Sequence, residues 1–284
     1  MDRENRIKKN LVFDIGFHQG EDTLYYLLKG YSVIAVDADP ELVEEWQKVF
    51  KKYIESSQLL LLNYVISDKN DIETEFYISS NTVWSSTKAS VSSRMCCPTI
   101  KKKIKSKRMD YLFQEYGIPF YCKIDIEGND VIALQTMEKI SEKPLYISVE
   151  TECMGEDEDI AGHELDTLNA LYQLGYRKFK LVDQRTLSVL GTDCFYKDIP
   201  GRHWSEQIQT NCKYAEEQIE LYETSRQEKF TDFFPGSSGP FGEDLAGKWY
   251  DYPQSKEILK KHREDKMKLN EPKWTFWCDW HATF

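Results

Sequence analysis

The stretch Leu11-Val12-Phe13-Asp14-Ile15-Gly16-Phe17-His18-Gln19-Gly20-Glu21-Asp22-Thr23 leaves an apolar segment, crosses two glycines and enters a helical pattern. Leu11 to Phe13 read as a short strand. The glycines let the backbone turn tightly and let a ligand come close. The helix behind the turn offers unpaired N–H groups to an anion. The glycine spacing is not the one-three-six pattern of dinucleotide-binding turns, and no Lys-Ser/Thr pair marks a phosphate loop. Asp14, at the strand end, would repel a pyrophosphate and suits a ligand presenting an ammonium group.

Outward from this turn, apolar strands alternate with helical patterns over the first 185 residues. Strands are expected at Ser32 to Val36, Leu59 to Ile66, Tyr121 to Ile124, Leu145 to Val149 and Phe179 to Val182. Between the second and third, Leu42, Val43, Trp46, Val49, Phe50, Tyr53 and Ile54 recur at helical spacing and predict one helix over Glu41 to Glu55. Asp39 can cap that helix, and Pro40 suits its first position. Such alternation implies right-handed βαβ units and a mostly parallel sheet. Two regions break the rhythm. Residues 68–120 hold an expected hairpin at Glu73 to Ile78, a Ser/Thr-rich loop at Ser79 to Ser93 and the basic run Lys101 to Arg108. That run reads as a solvated edge strand guarded by lysines, with a docking patch for an acidic substrate as the alternative. Beyond residue 190 come a helical stretch at Glu206 to Lys229, a Gly/Pro/Ser loop at Pro235 to Gly242 and many aromatics. The aromatics read mostly as packing on the sheet, and the loop as a lid.

Strand ends in this pattern carry acids. Asp37 lies 23 residues after Asp14, at the end of the second strand, where an acidic side chain can accept hydrogen bonds from ribose hydroxyls. Helix capping is the competing reading for Asp14 and Asp39. The third strand ends at Ser67-Asp68, which can meet an adenine amino group or simply open the next turn. Tyr121-Cys122-Lys123-Ile124-Asp125-Ile126-Glu127-Gly128-Asn129-Asp130 places three carboxylates within six residues at a strand end. Tyr146 to Glu152 ends the next strand with Glu150 and Glu152. Carboxylates packed this closely are costly unless something binds them or one holds a proton. They suit a general base, an oxygen-ligand metal site or recognition of a cation. The competing reading is a polar rim with Lys123 as counter-ion.

On these residues the chain resembles the FkbM family of methyltransferases dependent on S-adenosylmethionine (SAM). The resemblance rests on Asp14 to Gly20 with Thr23, Ala35 to Pro40, Ile66-Ser67-Asp68, Met109 to Leu112 and, above all, Lys123-Ile124-Asp125-Ile126-Glu127-Gly128. Val149-Glu150 and Leu174-Gly175-Tyr176 fit later strands, so it covers roughly residues 10–185. Where most SAM enzymes have glycine, and this family often asparagine, this chain has His18. The resemblance implies an α/β, Rossmann-like fold of the class I methyltransferase kind: a mostly parallel sheet flanked by helices, with an aromatic-rich C-terminal extension. It implies methyl transfer from SAM to oxygen or, less often, nitrogen. Asp14, Gly16, His18, Gly20 and Thr23 would then form the turn at the methionine moiety. Asp37 would hold the ribose, Ser67 and Asp68 the adenine, and Asp125 would face the transferring methyl.

For a hydroxyl acceptor the protein must supply alignment and a base. Candidates are Asp125, Glu127, Glu150 and His163, with Glu152 and His203 also considered. Asp125 with Glu150 or Glu152 could hold Mg²⁺, but carboxylates do this work without metal as well, and no metal is assigned. Residues 1–190 are expected to form the SAM-binding domain, and 191–284 an extension packed on it that shapes the acceptor site or a lid. A sugar-like or natural-product hydroxyl is the leading acceptor. A side-chain amide of a peptide precursor, which would want a long open groove, and a catalytically silent SAM-binding module are the alternatives.

Composition narrows the setting. The 284 residues are 40% hydrophobic, enough for a substantial core. With 37 basic and 48 acidic residues the net charge is −11, a poor basis for binding nucleic acid. No apolar run approaches the roughly 20 residues of a membrane span. The polar stretch Met1 to Asn10 is unlike a secretory signal, and seven cysteines with no C-x-x-C spacing fit neither a zinc ribbon nor a disulfide framework. A cytoplasmic location is the resulting expectation.

Overall fold

The computed structural model describes residues 7–151, 163, 165–193, 215–229, 233, 237–269 and 277–284. Its strands are β1 (Ile7–Ile15), β2 (Ser32–Asp37), β3 (Leu59–Asn63), β4 (Val65–Ile66), β5 (Glu73–Ser79), β6 (Thr99–Lys107), β7 (Ile118–Ile124), β8 (Tyr146–Glu150), β9 (Lys178–Asp183), β10 (Ser188–Val189) and β11 (Cys278–Thr283). Its α-helices are α1 (Glu21–Leu28), α2 (Pro40–Val49), α3 (Lys51–Glu55), α4 (Ala89–Ser92), α5 (Met109–Tyr116), α6 (Asp130–Thr136), α7 (Asp166–Gln173), α8 (Ala215–Arg226) and α9 (Tyr252–Lys268).

One sheet carries the order β10-β9-β11-β8-β7-β1-β2-β3. Strands β8, β7, β1, β2 and β3 pair in parallel, and β11 runs antiparallel between β8 and β9. This is the Rossmann-like, doubly wound arrangement expected, with helices on both faces. Period-two alternation sorts the side chains. Phe13, Ile15, Cys122, Ile124, Ile147, Val149 and Trp280 face one core, together with residues of α5, α6, α7 and α9. Val12, Val33, Ala35, Leu59, Leu61 and Tyr121 face a second, with α1, α2 and Tyr222 of α8.

Four elements differ from their sequence reading. The single strand expected over Leu59 to Ile66 divides at Tyr64 into β3 of the large sheet and β4 of a smaller one. The single helix expected over Glu41 to Glu55 breaks at Phe50 (φ −90°, ψ 14°), whose ring meets Phe17 edge-on at 5.7 Å. Its start is as read: Asp39 accepts from the N–H groups of Glu41 at 3.0 Å and Leu42 at 3.4 Å. The expected Glu73 hairpin is instead a strand pairing antiparallel with β6, and the lysine run is the middle strand of a small β4-β6-β5 sheet, not an edge. Its charge is balanced locally, Lys101 against Glu75 at 2.6 Å and Lys107 against Asp71 at 3.0 Å.

The boundary expected at residue 190 does not divide the sheet, because β11 sits inside it. Pairing registers line up Asp14, Lys123, Ser148, His281 and Lys180 in one row across five strands. All five are buried. The C-terminal segment covers this row. Phe241 stacks on Tyr121 with ring centroids 3.8 Å apart, and Lys180 donates to the carbonyls of Leu245 at 2.5 Å and Gly242 at 3.1 Å beneath the Trp249 ring. Most described aromatics of the extension pack in this way. Residues 237–242 are interior chain rather than a lid over it.

Candidate active site

A cavity of about 270 Å³ opens at the carboxyl ends of the parallel strands, where ligands sit in sheets of this kind. The glycine turn after β1 builds its floor. Gly16, at φ +92°, lies so close to the end of β7 that a Cβ there would stand 1.7 Å from the Asp125 carbonyl oxygen. The Gly16 carbonyl accepts from Lys123 Nζ at 2.8 Å. Gly20 caps α1 in the left-handed region, packed against Phe17 and Phe50. His18 also takes a left-handed conformation (φ 49°), donating its backbone N–H to Asp37 Oδ2 at 2.7 Å. Its ring nitrogens meet Glu21 Oε1 at 3.3 Å and Thr82 Oγ1 at 2.9 Å.

Strand order gives the cavity two unlike ends. Beside β2 and β3 the wall is largely apolar: Leu42, Tyr64, Val65, Ile66 and Phe76, with Asp37, Asp39 and Asn129 among them. Asn129 is fixed by donating Nδ2 to the Ile66 carbonyl at 3.0 Å. Beside β7 and β8 the wall carries Asp125, Glu127 and Glu150, with Gln184 and Trp277. The three carboxylates each offer an oxygen, and these lie within 4.8 Å of one another, a spacing one cation could bridge. Glu127 is anchored by Arg94 Nη1 at 3.2 Å.

Burial dominates the electrostatics here. It pushes the Glu127 carboxyl to about 8, with Asp125 adding to the rise and Arg94 opposing it. Glu150 is driven well above the usual range by burial and then by Glu127 and Asp125. Asp125 is raised by burial against the pull of Lys123, and Asp37 by burial against the N–H groups of Asp39 and His18. Asp22, on the lining, stands at about 7 and Asp279, behind it, at about 8, again chiefly through burial. The described residues lining the cavity carry seven carboxylates against Lys123, Arg226 and His18. Such a site favours a positively charged occupant.

Of the residues singled out in the sequence, Gly16, His18, Asp37, Asp125, Glu127 and Glu150 line the cavity. Asp14, Gly20 and Thr23 stand behind it. Asp14 is fully buried, accepts from Thr23 Oγ1 at 2.6 Å and pairs with Lys123 Nζ at 3.2 Å, so the ammonium it meets is a lysine's. Ser67 and Asp68 do not line the cavity: Asp68 is exposed and its carbonyl accepts from Arg108, while Ser67 bonds within its own turn to Lys69. His163 does not line it either; it is exposed and bonded to Asp166 at 2.6 Å. Glu152 and His203 lie outside the described residues. Sequence reading missed Glu21, Asp22, Thr82, Gln184, Arg226, Ser237 and Trp277, all of which line the cavity. Glu21 and Asp22 left a signal, as two acids directly after Gly20, and Ser237 lies in the loop Pro235 to Gly242 that was read as a lid.

Residues 14–178 match the family model described as the methyltransferase FkbM domain. No curated protein matches the chain. Among solved structures, it is similar to a precorrin 8w decarboxylase from Methanobacterium thermoautotrophicum, at 12% identity and a TM-score of 0.34 over 63% of this chain and 70% of that one. It is likewise similar to precorrin-6y C5,15-methyltransferase from Geobacter metallireducens GS-15, at 10% identity and a TM-score of 0.33 over 68% and 78%. The family match spans more than half of the chain and contains the glycine turn, the Asp37 strand end and the Asp125–Glu127–Glu150 wall; the chain belongs to the FkbM family of methyltransferases.

Proposed function

We propose that the protein moves a methyl group from SAM to a hydroxyl of a sugar-like or natural-product acceptor. The observation that carries this reading is the cavity's surplus of carboxylates, which calls for a cation, next to an apolar end that suits a purine. The turn at Gly16 adds support, because a side chain there would collide with the neighbouring strand end and so no Cβ intrudes on the floor. SAM, when bound, supplies an electrophilic methyl group on a sulfonium sulfur.

The chain's own residues do the rest. Ile66, Phe76 and Leu42 would pack against the adenine, and Asp37 would accept from the ribose hydroxyls. Asp125 would face the transferring methyl. Glu150, made more basic by burial and by its acidic neighbours, would in its ionised form take the proton from the acceptor hydroxyl as that oxygen gains the methyl group and the S–C bond breaks to leave the thioether. Glu127, held by Arg94, and Gln184 orient the acceptor, and the Trp277 indole offers a flat apolar surface to a ring bearing hydroxyls. A wall that combines one aromatic plane with several acceptors suits such a ring better than an extended peptide.

Thermal denaturation with SAM, S-adenosylhomocysteine, NAD or no ligand tests the cofactor, since a ligand that binds the native state raises the midpoint. A rise with both adenosyl ligands and none with NAD is expected. Asp37→Ala should remove most of that rise. An unchanged response in this variant eliminates the ribose assignment, and no rise in the parent protein eliminates the cofactor.

A further inference from the structure

A line of four polar side chains from three parts of the sequence crosses the cavity wall beside the glycine turn. Thr82 Oγ1 meets His18 Nε2 at 2.9 Å, and His18 Nδ1 lies 3.3 Å from Glu21 Oε1. The same Glu21 oxygen pairs with Nη1 of Arg226, and all four side chains line the cavity. Arg226 is the last residue of α8 and lies outside the segment that matches the family. It is steadied by the Tyr222 ring, 6.0 Å away, and by Glu228 at 3.7 Å.

An ion pair in this position has a chemical meaning. Glu21 and Arg226 are each only 14% and 13% exposed, so both charges give up most of their water, which is costly unless further partners are gained. Burial raises the Glu21 carboxyl, but the hydrogen bond and charge of His18 and the charge of Arg226 hold it down at about 2, so the pair is ionic at neutral pH. A carboxylate and a guanidinium side by side present both charges that an α-amino acid needs. A guanidinium matches a carboxylate in a planar, two-bond geometry. Among the described residues, the other permanent cation on the wall, Lys123, is held by Asp14, by the Gly16 carbonyl and, at 3.7 Å, by Asp22, and its ammonium lacks the planar two-bond fork of a guanidinium.

We propose that Arg226 and Glu21 form the subsite for the amino-acid end of the adenosyl cofactor, Arg226 meeting its α-carboxylate and Glu21 its α-ammonium. This inference rests on the SAM reading above. It makes the C-terminal segment part of the cofactor site, whereas the sequence pointed to that segment only for acceptor choice.

The test compares two adenosyl thioethers by titration calorimetry on the full chain. S-adenosylhomocysteine carries the amino-acid end and 5′-methylthioadenosine lacks it. The parent protein should bind the first more tightly, by about 10- to 100-fold, the worth of charge-assisted hydrogen bonds. Arg226→Gln and Glu21→Gln should each cut that preference by ~10-fold or more, leaving methylthioadenosine affinity within about 2-fold. Retained methylthioadenosine binding also reports an intact fold. Should Arg226→Gln not fold, Arg226→Lys replaces it, and a loss of preference of ~3-fold or more is expected because the planar fork is gone. An undiminished preference in the folded arginine variant overturns the subsite. If the parent binds neither compound, the cofactor reading itself fails, and the subsite falls with it.

Discussion

Asp279 offers a measurement of how much strain the acidic centre holds. Its side chain is 1% exposed and accepts from Gln184 Nε2 at 2.6 Å and Ser238 Oγ at 2.7 Å. Burial pushes its carboxyl to about 8, and the charge of Asp125 adds to the rise. In the unfolded chain it titrates near the ordinary aspartate value of about 4. Between these values the folded protein holds a proton that the unfolded chain has released. Stability from this group is therefore complete below about pH 4 and is lost as pH rises through about 8, at roughly 1.4 kcal/mol per pH unit for one proton. Asp279→Asn keeps the shape and both hydrogen-bond partners, with the amide donating to Ser238, and cannot titrate. Ligand-free parent protein should lose about 2–3 kcal/mol more than the variant between pH 6 and pH 8. Urea denaturation of both proteins at pH 5, 6, 7 and 8 measures this directly. Parallel stability curves across the series would mean that Asp279 is ionised in the fold at pH 6 and that the reasoning about its burial is wrong.

Two further substitutions probe the frame around the cavity. Gly16→Ala should destabilise the fold by about 3 kcal/mol or more: the left-handed backbone alone costs about 1–2 kcal/mol, and the new Cβ would sit 1.7 Å from the Asp125 carbonyl oxygen, forcing the β1 and β7 ends apart. A loss below 1 kcal/mol in denaturant titrations contradicts this. Lys123→Met removes the cation from Asp14, which is fully buried and would keep only Thr23, and should cost about 3–5 kcal/mol. Adding Asp14→Asn to that variant should recover part of the loss, and strictly additive effects in the double-mutant cycle would show that the pair is not coupled.

The parallel strands were legible because they are short apolar runs placed between helical patterns and turn residues, and that pattern depends on nearest neighbours in sequence; β11, which inserts between β8 and β9 from the far end of the chain, was not. The start of α2 was legible for the same reason, since Asp39 and Pro40 act within one turn. The break at Phe50 was not, because it serves a ring packed against Phe17, Trp46 and Tyr222 from three separate elements. The carboxylates Asp125, Glu127 and Glu150 could be grouped in advance because adjacent parallel strands end side by side. Asp14 was placed at the right strand end, yet alternation turns it to the Lys123 side of the sheet, where it meets a lysine. Asp68 and His163 were judged by proximity in sequence to strand ends, and the chain carries both outward. Arg226 had no local signal, and Ser237 and Trp277 only that of a loop and an aromatic-rich tail, because only the return of the C-terminal chain to the middle of the sheet brings them to the cavity.

That return also explains how the fold tolerates a buried row of charge. Asp14 and Lys123 pair at one end of the row, Ser148 shares a 2.6 Å hydrogen bond with Tyr121, and Lys180 at the other end is met by carbonyls of residues 242 and 245. His281 lies between Ser148 and Lys180, and its imidazole is held neutral, pushed down to about 3 by burial and by the Lys180 charge. A charge buried without partners would cost several kcal/mol, so this row requires the C-terminal chain for its own stability. Asp22 ties the two parts from the opposite direction, accepting from the backbone N–H groups of Ser238 and Gly239 at 3.0 Å each. Asp22 stands on the first helix after the glycine turn, and Ser237, beside that clamp, lines the cavity. The turn that would hold the cofactor and the wall contributed by the C-terminal chain are thus joined through one carboxylate. A change that loosens residues 237–242 should therefore be felt at the glycine turn, since Asp22 bonds directly to Ser238 and Gly239.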